Sequence, residues 1–280
     1  MVNTMQQFED QGYMILQNVL SAAEIQSVTD LIARVVDEKT EVLFREGRIA
    51  NKYTELPVET RWAKICEMSP QQASGWNREV FSEAVYELCT NSKLLDICEQ
   101  YLGPDITLNG DYWVRPKVPH EDLTTLPWHQ DSFYYNGAEN DNLSYRILSF
   151  WIPLVDVDER NGCMQIIPRS HKWGLIPYAS LGNKRVPVED VEAKGEVITA
   201  RMKKGDILIF NQLTLHRSLP NVSEGVRWSI DIRYTPTDQS FSWHELTGPG
   251  FEQRYSTLIV RSRSNPERVQ DFNEWKTKKQ

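Results

Sequence analysis

Arg227-Trp228-Ser229-Ile230-Asp231-Ile232-Arg233-Tyr234 alternates polar and apolar side chains without a break, the period-two signature of a β-strand. Arg227, Ser229, Asp231 and Arg233 share one face, and Trp228, Ile230, Ile232 and Tyr234 share the other. In a plain sandwich the polar face looks to solvent. In a barrel with helices outside it, the apolar face packs under the helices and the polar face lines the mouth of an active site. The alternation fits both arrangements.

Upstream lie further strand-like segments separated by turn residues. They are Ile106–Arg115, Trp128–Tyr134, Arg146–Val155, Met164–Pro168, Glu196–Met202, Asp206–Phe210 and Thr214–Ser218. Short strands at this spacing predict an antiparallel sandwich or jelly roll. Ahead of them, Gly12–Leu20 reads as a short strand. Ser21 with Glu24 three residues on forms a capping box. Ile25, Val28, Leu31, Ile32, Val35 and Val36 then recur at helical spacing, predicting a helix of about four turns. A second helical region covers Arg78–Leu102 and ends at Gly103-Pro104. The expected fold is mainly β with flanking helices: a double-stranded β-helix (jelly roll, cupin-like) with N-terminal helices on the outer face of one sheet. No linker divides the chain, so 1–280 is expected to be one domain. Within it, 1–104 is mainly helical support, 105–236 the jelly-roll core and 237–280 a C-terminal extension. The polar tail from Ser262 is expected as a surface helix or a frayed end.

The 280 residues are 40% hydrophobic, enough for a substantial core, and the formal net charge is −8. Acidity of this size disfavours a nucleic-acid partner, which needs a basic stripe, and disfavours docking on anionic lipid. No apolar run approaches the roughly 18–20 residues of a membrane span. Glu9 and Asp10 precede any apolar run, so no signal peptide is expected, and the C-terminal residues match no retention or peroxisomal address. Cys66, Cys89, Cys98 and Cys163 form no Cys-x-x-Cys pair. They read as reduced, buried thiols, and the expected location is the cytoplasm.

Of the five histidines, His129 stands two residues from Asp131. On a strand these two side chains would project from one face, as a pair of ligands on one metal requires. His216, 87 residues on, lies in another predicted strand. Two imidazoles and one carboxylate leave coordination positions open, the arrangement of non-haem iron(II) oxygenases. Arg227 follows His216 by eleven residues, and its planar fork suits a carboxylate.

Taken in order, several stretches resemble the phytanoyl-CoA dioxygenase family of iron(II)/2-oxoglutarate oxygenases. They are Phe8-x-x-x-Gly12-Tyr13, Pro127-Trp128-His129-Gln130-Asp131, Asn161-Gly162-Cys163-Met164, Ile167-Pro168-Arg169-Ser170-His171, Lys204-Gly205-Asp206, His216-x-Ser218 and Arg227. The resemblance implies that His129, Asp131 and His216 bind iron(II), with 2-oxoglutarate and O₂ as co-substrates. It implies further that Arg227 and Ser218 hold the distal carboxylate of 2-oxoglutarate and that Trp151 lines its pocket. Lys64 is the candidate for a lysine that reaches the site from before the barrel, and Gln130, inside the ligand motif, is grouped with the co-substrate residues. Related halogenases replace the carboxylate with a small residue, so Asp131 implies hydroxylation or another oxidation, with desaturation, epoxidation and ring chemistry open to the same iron site.

The expected reaction hydroxylates an unactivated carbon of a small metabolite or natural-product intermediate and releases succinate and CO₂. The alternatives are an acyl-CoA 2-hydroxylase of the phytanoyl-CoA type and, in another class, a cupin-like metal-dependent hydrolase or isomerase. Phe133, Tyr134, Tyr135 and Arg146 are the substrate candidates. Arg115, Lys117, Arg146 and Arg233 could form a cationic wall for a carboxylate or phosphonate. The polar loop Asn136–Tyr145 reads equally as a lid or as an ordinary connection. His171 reads as structural, and His120 and His244 as surface or packing residues.

Overall fold

The computed structural model describes residues 4–73, 76, 82–110, 112–135, 146–182, 184–239 and 257–277. The chain begins with α1 (Thr4–Gln11), β1 (Tyr13–Leu16) and four helices: α2 (Ala22–Arg45), α3 (Val58–Met68), α4 (Glu83–Cys89) and α5 (Ser92–Leu102). Strands β2 (Asp105–Leu108) and β3 (Trp113–Lys117) follow, then a one-turn helix α6 (Ser132–Tyr135) and β4 (Leu148–Pro153). The rest comprises β5 (Met164–Ile166), β6 (Tyr178–Leu181), β7 (Lys184–Pro187), β8 (Ile198–Ala200), β9 (Ile207–Asn211), β10 (His216–Ser218) and β11 (Arg227–Pro236). Strand β12 (Leu258–Ser262) and α7 (Phe272–Thr277) close the described chain.

Among the described residues the strands form a jelly roll with two unequal sheets. The larger runs β1-β9-β4-β11-β2-β12, with β3 also paired to β11, and the smaller runs β10-β5-β8. β6 and β7 make a separate hairpin. β11 is the spine of the larger sheet. Its Ser229–Tyr234 stretch pairs with β4 on one side, while Arg227–Asp231 pairs with β3 and Tyr234–Pro236 with β2 on the other.

Strand alternation sorts this sheet into two environments. Trp228, Ile230, Ile232 and Tyr234 join Leu148, Phe150, Ile152, Ile207 and Ile209 in a core shared with Ile25, Ile32, Trp62, Val85 and Leu95 of the helices. Trp228 meets Trp76 edge-on at 4.8 Å, and Trp76 meets Trp62 at 5.2 Å. The Tyr234 hydroxyl donates to the Cys89 carbonyl at 2.7 Å. The opposite face carries Ser149, Trp151, Leu208, Phe210 and the polar side of β11 into the barrel. Of the two arrangements open to β11, the helix-covered barrel is the one adopted.

α2 starts at the expected capping box, with Glu24 N donating to Ser21 Oγ at 3.3 Å and Ser21 N to the Glu24 carboxylate at 2.8 Å. Its 24 residues outrun the four turns expected, because Thr40 and Leu43 continue the buried stripe. The second helical region divides into α4 and α5, since the Asn91 side chain accepts from Lys93 N at 2.9 Å and starts a new helix. Residues 78–81 of that region lie outside the described residues.

Ile106–Arg115 divides too, into β2 and β3. The expected strand Trp128–Tyr134 does not form. His129 alone bridges to His216, after which the chain turns into α6. The C-terminal extension is more integrated than its polarity suggests. β12 pairs with β2, and Trp275 of α7 is buried against Tyr86 and Tyr112, with ring centroids 5.9 and 5.6 Å away.

Gly12, with φ +78°, lies so close to His171 that a Cβ there would fall 2.2 Å from its Nδ1. His171 Nε2 also faces the Glu9 carbonyl at 3.0 Å, so it ties α1 to the barrel rim. Trp228 anchors the helices to the sheet, and Trp228→Ala should lower unfolding free energy by about 3–5 kcal/mol. Urea denaturation followed by circular dichroism measures this, and a loss below about 1 kcal/mol would contradict the anchoring role.

Candidate metal centre

His129 and His216 are brought together by backbone pairing. His129 N donates to the His216 carbonyl at 3.0 Å and His216 N to the His129 carbonyl at 3.1 Å, leaving ring centroids 4.2 Å apart. Each Nδ1 faces a backbone carbonyl: that of Pro127 at 2.8 Å for His129, that of Thr214 at 2.9 Å for His216. A carbonyl only accepts, so Nδ1 carries the proton and Nε2 keeps its lone pair. Burial pushes His129 down to about 3 and lowers His216 as well, so both rings are neutral at physiological pH.

Asp131 arrives by a turn rather than by strand alternation. Ser132 N donates to the Gln212 carbonyl at 3.1 Å, and Phe133 N and Tyr134 N fold back on Gln130 and Asp131 at 3.0 and 2.9 Å. Asp131 Oδ2 accepts from Ser149 Oγ at 2.6 Å and from Arg233 Nε at 2.9 Å, while Arg233 Nη2 reaches Oδ1 at 3.1 Å. Arg233 and Ser149 are direct cross-strand neighbours of β11 and β4. Burial alone would raise the Asp131 carboxyl, but Arg233, joined in the acid range by the then-protonated His216 and His129, outweighs it and holds the group below the ordinary carboxylate range.

Asp131 Oδ1 stands 3.7 Å from His216 Nε2. One ligand atom from each of the three buried residues lies within 4.8 Å of the others. Two neutral imidazole nitrogens and one ionised carboxylate fit a divalent first-row ion such as iron(II).

A cationic group, equally buried, lies in the same barrel. Phe210 packs 4.3 Å from the His216 ring and shares an apolar cluster with Trp151, Met164 and Ile166. The Arg227 guanidinium sits 5.2 Å from the Trp151 ring. Its Nη1 donates to Ser229 Oγ at 2.5 Å, and its Nε is buried without a partner. Lys117, opposite Arg227 in the β3–β11 register, is 1% exposed. Its Nζ donates to Ser218 Oγ at 3.0 Å and to Thr124 O and Thr125 Oγ1 at 3.1 Å each.

Burial, reinforced by Arg227, Lys184 and Arg115, pushes the Lys117 amine down to about 6, and burial pushes Arg227 down to about 10. The nearby carboxylate of Asp231 already accepts from Arg115 Nε at 2.5 Å. This end of the barrel is therefore suited to an anionic guest. Gly162, with φ +84°, makes room for the lysine stem, since a Cβ there would fall 2.5 Å from Lys117 Cε.

Other expected site residues lie elsewhere. Lys64 is on the exposed side of α3, paired with Glu67 at 3.0 Å, and is not brought to the cluster. Gln130 is fully engaged in structural bonds. Its Nε2 donates to Gly174 O at 2.9 Å and Leu213 O at 2.6 Å, and its Oε1 accepts from Ile176 N at 3.1 Å. Phe133 is buried and stacks on Tyr178 at 4.5 Å, so it is core. Tyr134 lies edge-on to His129, with centroids 5.9 Å apart. Arg146 is exposed and reaches the carbonyls of Tyr101 and Leu102 at 3.4 Å, at the end of α5. The Tyr135 side chain, the loop Asn136–Tyr145 and His244 lie outside the described residues.

Within the expected cationic wall, Arg233 serves Asp131 and Arg115 serves Asp231. The grip of Arg233 and Ser149 on the carboxylate, and the link from Lys117 to Ser218, were not anticipated. Arg233 could have been found from the alternation that places it on the face of Arg227.

Fold and donor set together define a non-haem iron(II) oxygenase. The sequence model of the phytanoyl-CoA dioxygenase (PhyH) family matches residues 8–229, and the chain belongs to that family. It is an iron(II)/2-oxoglutarate-dependent dioxygenase. The peroxisomal phytanoyl-CoA dioxygenase of Mus musculus is 24% identical over 242 residues, 82% of this chain and 67% of its own. The 1-deoxypentalenic acid 11-beta-hydroxylase of Streptomyces arenae is 29% identical over 176 residues, 58% of this chain and 60% of its own. EctD from S. alaskensis, solved with 2-oxoglutarate and 5-hydroxyectoine, shares the fold at TM-score 0.60 and 17% identity, covering 96% of this chain and 87% of its own.

Arg233→Met should weaken iron(II) or manganese(II) binding about 10–100-fold by leaving Asp131 unsupported, measured by anaerobic calorimetry. Unchanged affinity would show that Arg233 is dispensable. For Lys117, the folded amine titrates near 6 and the unfolded one near 10.5, so between these values the unfolded chain binds more protons and stability rises with pH. Wild type should therefore gain stability relative to Lys117→Met as pH is raised from about 6 to 9. A constant difference in denaturation midpoint would show that the amine keeps its proton.

Proposed function

We propose that His129, Asp131 and His216 hold iron(II), and that Arg227 and Ser218 hold the distal carboxylate of 2-oxoglutarate over Trp151. The observation carrying this reading is the buried guanidinium of Arg227, with its Nε unpartnered, in the same barrel interior as the three metal-binding side chains. When bound, iron and 2-oxoglutarate would activate O₂, the oxidant, so that one oxygen atom hydroxylates an unactivated carbon and the other enters succinate, with CO₂ released.

The chain's part is to bind, orient and exclude water. Arg233 and Ser149 fix the carboxylate ligand, the backbone carbonyls fix both imidazoles, and the Trp151–Phe210 cluster keeps the interior dry. The ties of β1 and β12 into the larger sheet support one dioxygenase domain over 1–280.

We place the substrate at the outer side of the metal, against Tyr134. Its hydroxyl accepts from Arg185 N at 3.2 Å, and the Arg185 guanidinium lies 5.3 Å from its ring and 5.5 Å from that of Tyr178. An aromatic floor with a cation beside it suits a small carboxylated metabolite or natural-product intermediate, and the Streptomyces relative, a hydroxylase of 1-deoxypentalenic acid by its name, supports that choice. The alternative is an acyl-CoA 2-hydroxylase, favoured by the mammalian relatives. The net charge of −8 speaks against a docking surface for the nucleotide phosphates. The four free cysteines, all buried, support a reducing, cytoplasmic location, and no helix among the described residues is long and apolar enough to cross a membrane.

Anaerobic addition of iron(II) and then 2-oxoglutarate should produce a visible metal-to-ligand charge-transfer band. His216→Ala should abolish it, and Arg227→Met should raise the 2-oxoglutarate concentration needed at least tenfold, about the value of a charge-assisted hydrogen bond. No band in wild type, or an unaltered one in His216→Ala, sinks the assignment. Succinate release across small carboxylic acids and acyl-CoA thioesters then separates the two substrate classes.

A further inference from the structure

Ser218 Oγ accepts from two donors, the backbone N–H of Leu126 and Lys117 Nζ, each at 3.0 Å. A hydroxyl oxygen has two lone pairs and one proton. Beside a dianionic guest the Lys117 amine keeps its proton, so its three N–H groups serve its three acceptors, both Ser218 lone pairs are engaged, and the serine proton is left to point toward an acceptor elsewhere. We infer that Lys117 is a positioning residue for the co-substrate: by donating to Ser218, it fixes the serine hydroxyl as a donor to the distal carboxylate of 2-oxoglutarate, alongside Arg227. This rests on the co-substrate placement proposed above.

Lys117 is held as such a role requires. Besides Ser218, its amine donates to Thr124 O and Thr125 Oγ1. Its backbone carbonyl accepts from Asn221 Nδ2 at 2.8 Å. Its stem passes over Gly162, where any side chain would collide with it. The segment supplying Thr124 and Thr125 is pinned in turn by Lys184 Nζ, which donates to Asp122 O and Thr125 O at 2.8 Å each.

Packing alone gives no reason for a lysine here. Burial and the neighbouring Arg227, Lys184 and Arg115 all disfavour its charge, against Asp122 on the other side, and an apolar side chain of the same length would avoid that conflict. The amine is explained once a dianion lies beside it.

The test is calorimetric binding of 2-oxoglutarate and of 2-oxopentanoate, which lacks the distal carboxylate, to the iron(II)-loaded protein under argon. Lys117→Met and Ser218→Ala should each weaken 2-oxoglutarate about tenfold or more, the scale of a hydrogen bond to a charged group, and leave 2-oxopentanoate unchanged. The double variant should lose no more than the weaker-binding single variant, because lysine acts through serine. Additive losses, or equal losses for both acids, overturn the inference. If the Met variant does not fold, Lys117→Ala with added propylamine replaces it. Affinity recovered by the amine supports the role, and none recovered overturns it. In an Arg227→Met control, undiminished preference for 2-oxoglutarate over 2-oxopentanoate would overturn the co-substrate placement itself, and the inference with it.

Discussion

Turning the charged face of β11 inward is the constraint on which the site depends. Arg227, Ser229, Asp231 and Arg233 all lie on a strand whose ten residues are buried, and an unpaired charge in such a place is unfavourable by several kcal/mol, on the order of 2–7 for even a neutral polar group. Each charge therefore recruits its surroundings. Arg233 draws in Asp131, Asp231 draws in Arg115, and Arg227 lies over an aromatic ring. The metal centre and the cationic end are two outcomes of one electrostatic requirement along one strand.

The same strand also holds the helices in place. Its outward residues meet the tryptophans of the helical layer, so the support for Arg227 and Arg233 is a packed apolar wall rather than solvent. This couples stability to chemistry. A shift of the strand by one residue would exchange the two faces, burying indoles among ligands and placing guanidiniums under helices. Such a register is strongly disfavoured, which accounts for a site built from several separate segments holding tight distances without disulfides.

Legibility from sequence followed the range of the interactions. Local signals were reliable: the capping box at Ser21, the helical stripe of α2 and the alternation of β11. The clustering of His129, Asp131 and His216 was legible because few residue types bind metal and only five histidines exist to choose from. α3 was missed because Arg61 is buried within it, paired with Asp37 and the Lys52 carbonyl, which breaks the apolar stripe. α6 was read as strand because its turn is set by Gln212, a residue distant in sequence. Lys64 drew attention by its position before the barrel, whereas Lys117 matters through cross-strand register with Arg227, which no local pattern reveals. Gln130 and Phe133 sit beside ligands in sequence yet face away from them, one engaged by backbone groups and the other by the core.

The edge strand β1 pairs with β9, Tyr13 lying opposite Phe210. During synthesis, β1 therefore leaves the ribosome long before its partner exists. Until then its apolar residues Met14, Ile15 and Leu16 have no sheet to join, and their pairing waits until the chain has reached Asn211. A topology with such distant pairings folds slowly and offers an unpaired strand to other chains meanwhile. The long-range pairing of β1 with β9 thus makes the order of assembly, and not only the depth of the folded state, a property of this topology.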